Sequence, residues 1–129
     1  MIHHVALFAR DPSRLAAFYG AALNLPEIRR NTDENGLYSV WLGSARSVLM
    51  IERADNAVAY DEKPVLSAPG LRPLHHCLLA FSLEQSEEQA FRDRLASAGG
   101  SISHSTESTL YFTDPEGNRA AVSWYRFAT

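Results

Sequence analysis

The residues able to do chemistry are few: the imidazoles of His3, His4, His75, His76 and His104, and the carboxylate of Glu52. One imidazole pair recurs, since His3-His4-Val5-Ala6-Leu7 returns as His75-His76-Cys77-Leu78-Leu79 at a shift of 72 residues, which also matches Tyr19 with Phe91 and Leu23 with Leu95. Imidazole nitrogen and carboxylate oxygen are donors that a first-row divalent metal accepts, and they can equally orient an oxygen-bearing small molecule. The bland alternative is that the histidines are satisfied polar residues near strand starts and Glu52 a solvated strand end. Which applies depends on the faces these side chains occupy.

Alternation along strands separates those faces. Val5 and Leu7, Leu49 and Ile51, Cys77, Leu79 and Phe81, and Ala120, Val122 and Trp124 form nearly pure apolar sets, as expected where helices cover a sheet. The opposite parity carries His4, Ala6 and Phe8; Val48, Met50 and Glu52; His76, Leu78 and Ala80; and Ala121 and Ser123. Apolar walls with two imidazoles and one carboxylate suit a small-molecule site, although parity alone does not bring the three together. His3 and His75 fall on the other parity and read as structural or exposed, and His104 stands alone.

The elements that must position them follow from local signals. A strand starting near His3 and ending before Asp11 precedes a helix with Asp11 as N-cap, Pro12 at its first position and Leu15, Phe18, Tyr19, Ala22 and Leu23 on one apolar face. Asn24 and Pro26 stop it. Three strand-length runs follow around residues 27–30, 37–42 and 47–51, separated by turn formers such as Asn35-Gly36. Residues 55–73, with Pro64, Pro69, Gly70 and Pro73, read as a linker. The second half repeats the order: a strand from His75, a helix from near Ser86 with capping-box spacing to Gln89 and an end at Gly99-Gly100, then strands around 101–104, 109–113 and 119–124. The sequence Asp114-Pro115-Glu116-Gly117-Asn118 makes the last turn. Residues 1–129 thus form a single α+β domain of two βαβββ modules, 1–54 and 74–126, around the linker 55–73.

Charge and composition exclude several classes. Twelve basic against fifteen acidic residues give −3, and no Lys/Arg run exceeds Arg29-Arg30, so nucleic acid is not an expected partner. No apolar stretch approaches the roughly 20 residues needed to span a bilayer, and Met1-Ile2-His3-His4 lacks a signal-peptide pattern. The single cysteine, Cys77, cannot form an internal disulfide, which makes the cytoplasm the default expectation.

With this doubled order in place, His4-Val5-Ala6-Leu7 followed by Asp11, the helix segment Ala17-Phe18-Tyr19, and the turn Tyr111-Phe112-Thr113-Asp114-Pro115-Glu116-Gly117-Asn118 resemble the vicinal-oxygen-chelate superfamily, which includes glyoxalase I, bleomycin-resistance proteins and extradiol dioxygenases. The resemblance covers nearly the whole chain. It implies paired modules curled into a barrel-like mixed sheet with helices outside, holding a divalent metal such as Zn, Ni, Mn or Fe. Carried over residue by residue, three of the four metal-ligand positions fall on His4, Glu52 and His76, while the fourth, an eighth-strand Glu in the family, falls on Ala121. A methyl group is no ligand. The missing glutamate counts against dioxygenase or fosfomycin-resistance chemistry, whereas Glu52 keeps a glyoxalase-like lyase or isomerase open. In that reading the metal stabilises an enediolate of a chelating substrate and Glu52 is the catalytic base. The alternative is a metal-free protein of the bleomycin-resistance type that binds or sequesters a small molecule. The resemblance also implies a homodimer, for which Trp41, Tyr38 and Trp124 are candidate anchors. Tyr19 and the turn at 114–118 read as structural.

Overall fold

The computed structural model describes residues 2–44, 46–54 and 78–128. Within them the chain runs β1 (His4–Ala9), α1 (Pro12–Leu23), β2 (Glu27–Asp33), β3 (Gly36–Ser44), β4 (Ser47–Arg53), β5 (Leu78–Ser82), a 3-10 turn (Gln85–Glu87) leading into α2 (Glu88–Ser97), β6 (Ile102–Ser105), β7 (Thr109–Thr113) and β8 (Arg119–Ser123). This is the α+β order of strand, helix and three strands, twice over. The linker 55–73 and His75, His76 and Cys77 lie outside the described residues.

Each module makes its own sheet, ordered β1-β4-β3-β2 and β5-β8-β7-β6. The β1/β4 and β5/β8 pairs are parallel, as a helical crossover requires, and the remaining pairs are antiparallel. The expected pairing of two βαβββ modules thus appears as two four-stranded mixed sheets among the described residues, each with β1 or β5 at one edge.

Helix α1 begins and ends where its residues dictate. The Asp11 carboxylate accepts the Arg14 backbone N–H at 3.0 Å, Pro12 sits in the first turn, and Asn24 closes the helix in the left-handed conformation at φ 52°. The second helix departs from expectation at its start. The chain enters it through the 3-10 turn, where the Glu84 backbone N–H donates to the Glu87 carboxylate at 3.2 Å, so the reciprocal cap uses Glu84 and Glu87 in place of Ser86 and Gln89. Its exit matches: the Gly100 N–H reaches the Leu95 carbonyl at 2.8 Å and Gly99 takes φ +87°.

One core serves both modules. Leu49, Ile51, Ala120 and Val122 are buried, with Val5, Leu7, Leu79, Phe81 and Trp124 packed against them. From α1, Phe18 and Tyr19 meet Phe112 and Phe81 of the second sheet at ring-centroid distances of 6.0 and 5.9 Å, and Phe91 of α2 meets Phe112 at 5.6 Å. The Arg94 side chain donates to the Ala22 carbonyl at 3.1 Å, tying α2 to the last turn of α1. The helices and the inner parity of the strands thus make a shared interior, and the outer parity of both sheets faces away from it.

Candidate functional site

The open face of the first sheet is organised in rungs. His4 pairs with Val48, Ala6 with Met50 and Trp41, and Phe8 with Glu52 and Ser39. The inner residues of the same strands, Leu49, Ile51, Val40 and Leu42, are buried in the core, so the expected parity holds. His4 is exposed and Glu52 partly buried, on one face of adjacent parallel strands. They do not share a rung. Glu52 lies level with Phe8, four residues along β1 from His4, a separation on the order of 13 Å along the strands.

What surrounds Glu52 is polar and connected. The Asn31 amide donates to the buried Ser39 hydroxyl at 2.8 Å, and the Arg29 guanidinium donates to the Asn31 carbonyl oxygen at 2.7 Å while lying 5.2 Å from the Trp41 ring centroid. The Trp41 indole N–H is buried without a hydrogen-bond acceptor among the described residues. An orphaned donor of this kind costs about 1–3 kcal/mol, and strands β2 and β3 carry it on the open face beside the Arg29–Asn31–Ser39 chain.

The second sheet repeats the geometry with different chemistry. Its rungs are Leu78–Arg119–Thr113, Ala80–Ala121–Tyr111 with His104 beyond, and Ser82–Ser123–Thr109. Phe8 and Ala80 differ by the same 72 residues as the sequence repeat, so their rung partners Glu52 and Ala121 occupy equivalent places in the two sheets. The departure seen in the sequence is thus real in three dimensions: the first sheet has a carboxylate where the second has a methyl group, and Ala121 is fully buried. Ser123 does not replace the missing ligand. Its hydroxyl donates to the Ser108 carbonyl at 3.1 Å, pairs with the Thr109 hydroxyl at 2.9 Å and accepts the Tyr125 N–H at 3.2 Å, which occupies it fully.

Between the modules, the start of β1 and the end of β5 border a cleft of about 460 Å³ lined by His3, His4, Val48, Ala80, Phe81 and Ser82, with the β3–β4 turn at its side. His3 and His4 hydrogen-bond through their Nδ1 atoms at 2.8 Å, so one ring donates and the other accepts. His3 is exposed, as its parity implied.

The sequence-predicted metal set is only partly visible here. His4 lines the cleft, Glu52 does not, and His76 lies outside the described residues. Among the described residues no three His, Cys, Asp or Glu side chains are grouped to hold an ion. With His76 outside the described residues, His4 and Glu52 supply two candidate donors on one face, and Ala121 adds none. Arg29, Asn31, Ser39, Trp41, Tyr111 and Arg119, which the sequence reading did not single out for the site, share these faces. Extending the parity rule to β2, β3 and β7, and to the first residue of β8, places them there.

Of the proposed anchors for an interface, Tyr38 is exposed, but Trp41 is partly buried and Trp124 packs on the core. Among the described residues, the large apolar side chains most open to solvent are those of Ile2, Phe8, Tyr125 and Phe127.

The structural likeness to solved proteins is broad and distant. FosX from Listeria monocytogenes, a fosfomycin resistance protein solved as a point mutant with Mn(II) and 1S,2S-dihydroxypropylphosphonic acid, superposes with a TM-score of 0.71 at 16% identity, covering 98% of this chain and 91% of that one. FosX from Mesorhizobium loti gives 0.71 at 11% identity over 98% and 93%, and lactoylglutathione lyase from Agrobacterium tumefaciens gives 0.62 at 21% over 95% and 92%. These likenesses establish the fold. No curated protein matches the chain. The family profile of the glyoxalase/bleomycin resistance protein/dioxygenase superfamily matches residues 1–122, and with the doubled βαβββ topology it places this chain in that superfamily.

Proposed function

We propose that this chain binds a small oxygen-bearing molecule on its open sheet faces without a resident metal, as a sequestering member of its superfamily. The observation that carries this reading is the second sheet. None of β5, β6, β7 or β8 contains an Asp or Glu, and the rung equivalent to Glu52 holds Ala121. A hard or borderline divalent ion needs anionic oxygen or several nitrogens, and this sheet offers no carboxylate from its strands. Titration of chelator-treated protein with Mn, Zn and Ni, followed by calorimetry and elemental analysis, tests it. We expect no stoichiometric ion at micromolar metal. One tightly held ion per chain, lost in both His4→Ala and Glu52→Ala, would overturn the reading.

That outcome would support the second reading, a metal-dependent lyase or isomerase with His4, Glu52 and His76 as ligands and Glu52 as base. It is favoured by the presence of His4 and Glu52 on one face, and by the Mn(II) bound to the structurally similar FosX. In that case Glu52→Gln keeps the fold and abolishes proton transfer, because an amide cannot carry the proton. The small molecule itself is the partner in both readings.

A further inference from the structure

We infer that the ligand carries an oxyanion, a carboxylate or phosphonate group, and that Arg119 on the open face of the second sheet is its counter-charge. This rests on the metal-free reading above and names the substrate class for it. Ala120 and Val122 point into the core, so Arg119 and Ala121 project from the other side of β8. Arg119 sits between Leu78 and Thr113 on its rung and is partly buried.

The described arginines that are partly buried divide sharply. Arg53 is paired with Asp33, Arg92 with Glu88, and Arg94 donates to the Ala22 carbonyl. Arg119 alone among them has neither an ion pair nor a hydrogen bond from its side chain among the described residues. A guanidinium stays charged at any accessible pH, and partial desolvation without a partner is unfavourable. The sheet that holds it has no acidic residue on any strand to relieve this.

The neighbours are the kind an anion uses. The Tyr111 hydroxyl, one rung further along and partly buried, also lacks a hydrogen-bond partner among the described residues, and the His104 ring lies 5.5 Å from the Tyr111 ring, centroid to centroid. Thr113 adds a hydroxyl on the Arg119 rung. Between them, Ala80 and Ala121 keep the floor of the sheet low. A planar fork next to a phenol and a hydroxyl matches two oxygens of a carboxylate or phosphonate, the bidentate geometry in which arginine is most effective. The first sheet presents Glu52 in the place equivalent to Ala121, so only there does a carboxylate stand on that rung.

Titrating chelator-treated full-length protein with benzoate, phenylphosphonate and the neutral benzamide, at constant ionic strength and read by amide NMR shifts, tests this. Benzoate or phenylphosphonate is expected to bind about tenfold or more tightly than benzamide, with the larger shifts on β7 and β8. The stronger of the two distinguishes carboxylate from phosphonate. Arg119→Ala should erase the preference, Arg119→Lys should keep part of it, and the exposed control Arg14→Ala should leave it intact; dispersed spectra verify folding of each variant. Benzamide binding as well as the anions, or an unchanged preference in Arg119→Ala, would overturn the oxyanion assignment and leave the binding reading standing. Absence of shifts on either open face with all three probes would remove both.

Discussion

The most informative single residue is Ala121, because its place is readable from the chain alone: the turn Asp114–Asn118 sets the start of the last strand, and counting by twos puts position 121 on the face shared with Glu52. The rungs support that count. What counting could not reveal is whom a side chain meets across the fold. Tyr19 reads as ordinary helix core, and it is fully buried, yet its hydroxyl donates to the Asp114 carboxylate at 2.7 Å across 95 residues of sequence. Burial, reinforced by the Asp114 charge, pushes the Tyr19 phenol up, so it remains a donor at all ordinary pH. Asp114 in turn accepts the Glu116 and Asn118 backbone N–H groups and the Asn118 amide, all at 2.9 Å. Tyr19→Phe should therefore cost about 1–2 kcal/mol in urea denaturation, the loss of one buried hydrogen bond to a charged acceptor that keeps its other donors. Ser123→Ala should cost about 1 kcal/mol by the same reasoning, since that hydroxyl is already committed to hydrogen bonds within the sheet.

Among the elements, α1 joins the halves. Beyond its own cap, the Asp11 backbone N–H donates to the Glu116 carboxylate at 2.8 Å, so a turn of the second module holds the helix start of the first. Glu116→Ala should loosen that end, raising hydrogen exchange in the first turn of α1 with a stability loss of about 0.5–1.5 kcal/mol. Local grammar made α1 legible to within a residue, because Asp11, Pro12 and Asn24 each perform their usual task. It misplaced the start of α2, where Glu84 and Glu87 form the cap through a 3-10 turn that capping-box spacing does not foresee. It also shortened β2, which runs on to Asp33 because pairing with β3 continues past an irregular register. There Asp33 forms an ion pair with Arg53 of β4, and the Arg53 hydrogen bond, helped by the Asn35 N–H, holds its carboxyl below the usual carboxylate range. A pKa depressed on folding adds stability above the ordinary aspartate value, about 3.9, and loses it as pH falls through the folded value. Asp33→Asn should accordingly flatten the acid limb of a stability-against-pH curve below about pH 4, with little change in its shape near neutrality.

On the scale of the whole molecule, no helix among the described residues is long and apolar enough to cross a membrane, and the outer parity of the two sheets carries exposed apolar side chains among those residues. Phe8, on the Glu52 rung, is 66% exposed, and Leu78, on the Arg119 rung, is 43% exposed. Large apolar side chains on a face that also carries unpaired charge are costly in a monomer and useful at a subunit boundary, where the apolar part excludes water and the polar part stays available to a ligand. The family resemblance leads to the same expectation of a homodimer, with the aromatic anchor moved from Trp41 and Trp124 to Phe8. Size-exclusion chromatography with light scattering should give twice the chain mass at micromolar concentration. Phe8→Ser should shift that equilibrium toward monomer by about tenfold or more in dissociation constant, the loss of roughly 1.5–3 kcal/mol per aromatic side chain buried at the boundary. A Phe8→Ser protein that stays dimeric with unchanged affinity would place the boundary elsewhere, while a wild-type monomer would mean that each open face meets its ligand within one chain.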